Sequence, residues 1–136
     1  MDEIDRAILE ELKRNSRIPF VELGKKLNIS ESAVRRRVKN LQKAGIIRKF
    51  TIEVGDGSIS AFVLVSVEPN VPTGEVAEEI ARIPGVRSIH EVTGVYDIIV
   101  TISAGSVAET NRCIDEIRRI RGIKSTNTMI VLREIP

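Results

Sequence analysis

The chain has 136 residues, enough for one ordinary domain or two small ones. Its 42% hydrophobic and 29% charged residues are typical of a soluble globular protein, and no apolar run approaches bilayer-spanning length, which argues against a membrane partner. The single cysteine excludes an internal disulfide framework, a lone histidine beside it argues against a structural zinc, and the lack of tryptophan argues against stacking platforms for single-stranded nucleic acid.

The net charge of +2 conceals an asymmetry. Residues 1–54 carry 13 Lys and Arg against 8 Asp and Glu, a balance of +5, whereas residues 55–136 carry 8 against 11, a balance of −3. A basic half joined to an acidic half suggests that only the first meets a polyanion. The opening MDEIDRAILEEL reads as an acidic helix rather than a signal peptide, so the expected location is cytoplasmic.

A first helix is predicted over 3–14, where Ile4, Ile8 and Leu12 recur every four positions, Leu9 widens the stripe and Asp2 can cap the first turn. Pro19 breaks that pattern and suits the first turn of a short second helix over 19–27, with Val21, Leu23 and Leu27 available to pack. Gly24 is costly inside a helix, and close approach by the following helix gives it a reason. In the turn Asn28 tolerates a left-handed conformation, Ile29 plugs the core and Ser30 caps a third helix over 31–44.

In that third helix Val34, Val38 and Leu41 lie within about 60° of one another at the helical step. Ser32, Arg36, Lys39 and Lys43 fall opposite this stripe; Arg35 and Asn40 flank it, and Arg37 sits nearer the core margin, its head free to reach out. Gly45 ends the helix. IIRKFTIEV (46–54) then alternates like a strand, adds Arg48 and Lys49, and would give the unit a wing. Residues 30–49 hold seven basic side chains and one acid, Glu31, whereas a merely solvated face usually mixes signs. The pattern predicts a helix-turn-helix whose second helix enters the major groove of double-stranded DNA. Ser32, Arg35, Arg36 and Lys39 are assigned to base edges; Arg37, Lys43, Arg48 and Lys49 are assigned to phosphates.

The expected linker begins at GDGS and covers 55–60, between a DNA-binding domain over 1–54 and a second domain over 61–136. There the pattern predicts a strand over 61–69, a helix over 73–83 with Val76, Ile80 and Ile83 on one side, and strands over 86–94 and 97–104. A helix over 106–120 carrying Val107, Ile114 and Ile117 follows, with a last strand within 122–135. The order βαββαβ fits an α+β, ferredoxin-like fold. Val63, Val65 and Val67 alternate with Phe62, Leu64 and Ser66, so both sheet faces are largely apolar and face-to-face dimerisation is expected.

The run DEIDRAILEELKRNSRIPFVELGKKLNISESAVRRRVKNLQKAGIIRKF, with VTGVYDIIV and STNTMIVL, resembles the Lrp/AsnC family, the feast/famine regulators of bacteria and archaea, over nearly the whole chain. The resemblance implies an N-terminal helix-turn-helix, a ferredoxin-like effector domain, homodimers that assemble further, often to octamers, and control of operator binding by amino acids. Some archaeal relatives regulate lysine synthesis. The connection EVGDGSISAF is shorter than the family's usual one.

TGVYDI forms a hairpin tip where Gly94 supplies unusual dihedrals, Tyr96 is the only tyrosine, and Asp97 either makes local hydrogen bonds or accepts an ammonium. Backbone N–H groups in such a turn can receive a carboxylate, so the two ends of a free amino acid are both provided for. The resemblance places an effector site between subunits, at Gly94, Tyr96, Asp97, Thr126 and Thr128. His90 reads as a surface or interface residue and Cys113 as packing. No nucleophile–base pair or phosphate-cradling loop stands out, so no enzyme, cofactor or metal is expected. Two other functions compete: a low-specificity architectural DNA-binding protein or amino-acid sensor, and a relative of tetrapyrrole decarboxylases, against which the lone His90 and the basic helix weigh.

Overall fold

The structure is a computed structural model describing residues 1–136. The chain divides into two compact units, Met1–Val54 and Gly55–Pro136, each with its own core. No helix is long and apolar enough to cross a membrane.

The first unit is three helices, α1 (Glu3–Arg14), α2 (Phe20–Leu27) and α3 (Glu31–Lys43). Ile8, Leu12, Ile18, Leu23, Val34, Val38 and Leu41 form its core. The turn between α2 and α3 is tight. Asn28 takes the left-handed conformation (φ 55°) that ends α2, and Ser30 Oγ accepts the Ala33 N–H to start α3. A methyl group on Gly24 would lie 2.5 Å from the Ile29 carbonyl oxygen. The close approach expected at Gly24 therefore comes from the turn backbone just ahead of α3.

The start of α1 is tied to α3. Asp2 and Asp5 form a capping box: Asp2 Oδ1 accepts the Asp5 N–H at 2.8 Å and Asp5 Oδ2 accepts the Asp2 N–H at 3.2 Å. Their remaining oxygens take the Arg37 guanidinium, at 2.7 Å from Asp2 and 3.1 Å from Asp5. The Asp5 backbone N–H and the Arg37 guanidinium together hold the Asp2 carboxyl below its ordinary value.

The strand expected over 46–54 does not form, and residues 48–54 carry no regular structure. Alternation was present, but a strand also needs a neighbour for its backbone N–H and C=O groups, and the chain supplies none there. Phe50, Ile52 and Val54 are left 46%, 76% and 64% exposed.

In the second unit β1 (Ile59–Val67), α4 (Thr73–Ala81), β2 (Val86–Glu91), β3 (Ile98–Ala104), α5 (Val107–Arg118) and β4 (Ile123–Ile130) build an antiparallel sheet of order β2-β3-β1-β4. Ala61, Val63, Val65, Val67, Ile98, Val100 and Ile102 pack beneath Val76 and Ile80 of α4 and Cys113 and Ile117 of α5. Val107, expected to pack, is exposed, and Thr110 and Cys113 are buried from the same helix instead. The alternate residues Phe62, Leu64, Ile99 and Met129 lie on the face that the helices leave open.

Two outcomes are expected of the first unit. Gly24→Ala forces its methyl group against a backbone carbonyl, so it should destabilise this unit by about 1–3 kcal/mol, the usual cost of overpacking, read by thermal melts. Because the folded Asp2 carboxyl titrates below its ordinary value of 3.8, its contribution is present above that pH and is lost as pH falls through the folded value. The stability advantage of the natural protein over Asp2→Asn should therefore hold at neutral pH and shrink below about pH 4; an advantage constant down to strongly acid pH would refute the assignment.

Candidate nucleic-acid interface and effector site

The three consecutive arginines of α3 have three different environments. Arg35 lies one turn after Glu31 and bonds it at 2.8 Å, with its guanidinium 5.4 Å from the centre of the Phe20 ring. Arg37 is held by Asp2 and Asp5 and is only 25% exposed, so its head does not reach out as expected and instead ties α3 to the start of α1. The same two acids raise its pKa further. Arg36 is exposed and has no ion-pair partner.

Around Arg36, Ser32, Lys39 and Lys43 are exposed on the same helix, opposite the buried stripe of Val34, Val38 and Leu41. Ser32 Oγ shares a hydrogen bond with Ser30 Oγ at 3.1 Å. Arg48 and Lys49 are exposed in the segment that follows. This arrangement presents unpaired positive charge and donors along one helix face, the chemistry that phosphates and guanine edges accept. Of the two acids that hold Arg37, Asp2 was read from the sequence only as a helix cap, and Asp5 was given no role. The cue available was their spacing of three, a capping-box interval that leaves two carboxylate oxygens spare.

In the second unit the hairpin between β2 and β3 carries Gly94 at φ 111°, a conformation that favours glycine. Asp97 is half-buried, and its Oδ2 accepts the Val67 N–H at 2.7 Å. Its backbone N–H bonds the Val65 carbonyl and its carbonyl takes the Val92 N–H, both at 2.9 Å. Of the two roles open to Asp97, the structure displays the local one: it fastens the hairpin to the end of β1. Tyr96 Oη accepts a bond from Asn127 Nδ2 at 3.3 Å.

Asn127 is opposite Leu64, on the open face of the sheet, whereas Thr126 and Thr128 are opposite Val65 and Val63, on the helix-covered face. The five sequence-predicted residues are thus split within one chain. Tyr96 meets Asn127 on one face, and the two threonines lie on the other. Thr126 lines a shallow cavity of about 300 Å³ with Arg118, Ile123, Lys124 and Ser125. Cys113 is buried, and burial pushes its thiol up, away from reactivity.

Residues 1–42 match the AsnC-type helix-turn-helix domain, and residues 60–136 match the Lrp/AsnC ligand binding domain. The HTH-type transcriptional regulator LysM of Saccharolobus solfataricus is 46% identical over 134 residues, which cover 98% of this chain and 94% of the relative. Among solved structures, E. coli AsnC superposes with a TM-score of 0.85 at 27% identity, over 98% of this chain and 93% of that one. The transcriptional regulator NMB0573 of Neisseria meningitidis, in complex with L-methionine, has a TM-score of 0.88 at 27% identity, over 100% and 92%. These similarities run from end to end and include both units in order, with regulators rather than enzymes among the relatives. The chain belongs to the Lrp/AsnC family of transcriptional regulators.

Proposed function

We propose that this protein is a sequence-specific, double-stranded DNA-binding regulator, acting as a homodimer or a higher assembly of dimers, whose operator affinity responds to an amino acid. The observation that carries the DNA half is Arg36. It is the one arginine of the triplet without an acidic partner, on a helix face shared with Ser32, Lys39 and Lys43. Arg36, with Ser32, Lys39 and the partly committed Arg35, reads base edges; Lys43, Arg48 and Lys49 hold phosphates. Arg37 is not among them.

The effector half takes support from the split of the predicted residues between two sheet faces. A ligand seated on one face of one chain cannot meet both the Tyr96 hairpin and the two threonines. It can meet both where the hairpin of one subunit approaches the β4 strand of another, so the site is built between C-terminal domains. Gly94 and the hairpin N–H groups receive the carboxylate, Tyr96 orients the ligand, and Thr126 and Thr128 of the second subunit supply hydroxyls. Asp97 acts chiefly by fixing the hairpin through Val67. The complex of the Neisseria regulator with L-methionine supports an amino acid as the ligand class.

Arg36→Ala should reduce discrimination at its contacted position by about 1–3 kcal/mol. Lys43→Ala should weaken all sequences alike and flatten the dependence of log affinity on log salt by about 0.9. Equal loss of discrimination from both variants would contradict the division between base and phosphate contacts. For the effector, a thermal-shift screen of the amino acids should find one that raises the melting point, by the equivalent of about 2.7 kcal/mol at a hundredfold excess over Kd. Tyr96→Ala and Thr128→Val should each abolish that shift. Mixed assemblies co-expressed from the two variants should regain part of it, because some sites then combine a natural hairpin with a natural strand. No recovery on mixing would place the site within one chain.

A further inference from the structure

Resting on the reading of α3 as the helix that meets DNA, we propose that Asp2 and Asp5 are positioning residues for DNA recognition: they occupy the Arg37 guanidinium, keep it off the phosphate backbone and leave Arg36 as the triplet's available arginine. The argument is geometric. Arg36 and Arg37 line one cavity of about 350 Å³ together with Met1, Asp5 and Asn40, so adjacent side chains open onto the same space between α1 and α3. Only one of them is claimed. The Arg37 Nη1 atom lies 2.7 Å from Asp2 Oδ2 and 3.1 Å from Asp5 Oδ1, across 35 and 32 residues of sequence. Both acids are fixed by the capping box, so they meet the guanidinium as a preset pair with no loop to order.

Two carboxylates hold the guanidinium in the way phosphate oxygens would, by short charge-assisted bonds. A DNA phosphate must therefore displace an internal partner to reach Arg37, and Asp5 is only 17% exposed. Arg36 has nothing to displace. The acidic pair also ends the positive surface at this edge of α3, because a phosphate arriving there would meet two carboxylates whose charge the single Arg37 guanidinium only half offsets. Three identical side chains in a row thus become three distinct functions: Arg35 braces Glu31, Arg36 reads and Arg37 ties.

The test is the salt dependence of duplex binding, which counts phosphate contacts at about 0.9 of slope each. The probes are a pool of random-sequence duplexes and duplexes enriched from that pool by the natural protein. Arg37→Gln should leave the slope of log affinity against log salt unchanged, whatever it does to the melting point. Asp2→Asn with Asp5→Asn should free Arg37, steepen the slope by about 0.9, raise affinity for the random pool and narrow the gap to the enriched duplexes. Adding Arg37→Gln to that pair should restore the natural slope. A purely structural role would shift stability and weaken both probes without moving the slope. The inference is overturned if Arg37→Gln itself flattens the slope by about 0.9, or if the folded double variant keeps the natural one. Should the double variant fail to fold, the single variants Asp2→Asn and Asp5→Asn take its place: each should steepen the slope part of the way, and the natural slope in both overturns the inference. Absence of salt-dependent duplex binding by the natural protein would overturn the DNA reading and this inference together; a flattened slope for Arg37→Gln overturns only the second.

Discussion

The carbonyl oxygen of Ile29 lies where a side chain at residue 24 would begin, and the geometry of the DNA-binding unit follows from that contact. It requires glycine on α2, a left-handed Asn28 to turn the chain, and a capped start for α3 within three residues. With α3 held this close, Val34, Val38 and Leu41 seal the core, and the opposite side of the helix is left to solvent. The polar face is thus a consequence of packing on the other side. Its basic character is what the sequence adds.

Much of this was visible in the residues because the governing forces are local. Periodicity placed all five helices and four of the five expected strands, and Asp2, Asn28 and Ser30 marked helix ends through short-range hydrogen bonds. What the residues left open at three places has one cause: each depended on a partner distant in sequence. Residues 46–54 have the alternation of a strand but nothing in the chain to pair with. Arg37 was placed correctly at the core margin, yet its ion pairs lie on another helix. Asp97 could have faced a ligand or its own fold, and only the register of β1 against β3 brings Val67 to its carboxylate.

The effector-domain residues show the same limit more sharply. Thr126, Asn127 and Thr128 are consecutive, so sequence alone groups them as one polar patch. In a strand successive side chains take opposite sides, and the sheet divides the patch. Asn127 goes with Tyr96 to the open face, beside Phe62, Leu64 and Met129. The threonines go beneath the helices. The Lrp/AsnC ligand-binding fold therefore offers two chemically different surfaces from a single short strand.

The size of the two cores has a consequence of its own. Met1–Val54 is closed by seven buried residues, while Gly55–Pro136 has eleven in its cluster. The smaller unit buries a smaller fraction of its surface on folding than the larger one, so each of its core side chains counts for more. A large-to-small substitution among the seven core residues of the three-helix unit therefore removes a larger share of that unit's hydrophobic stabilisation than the same change among the eleven of the sheet unit.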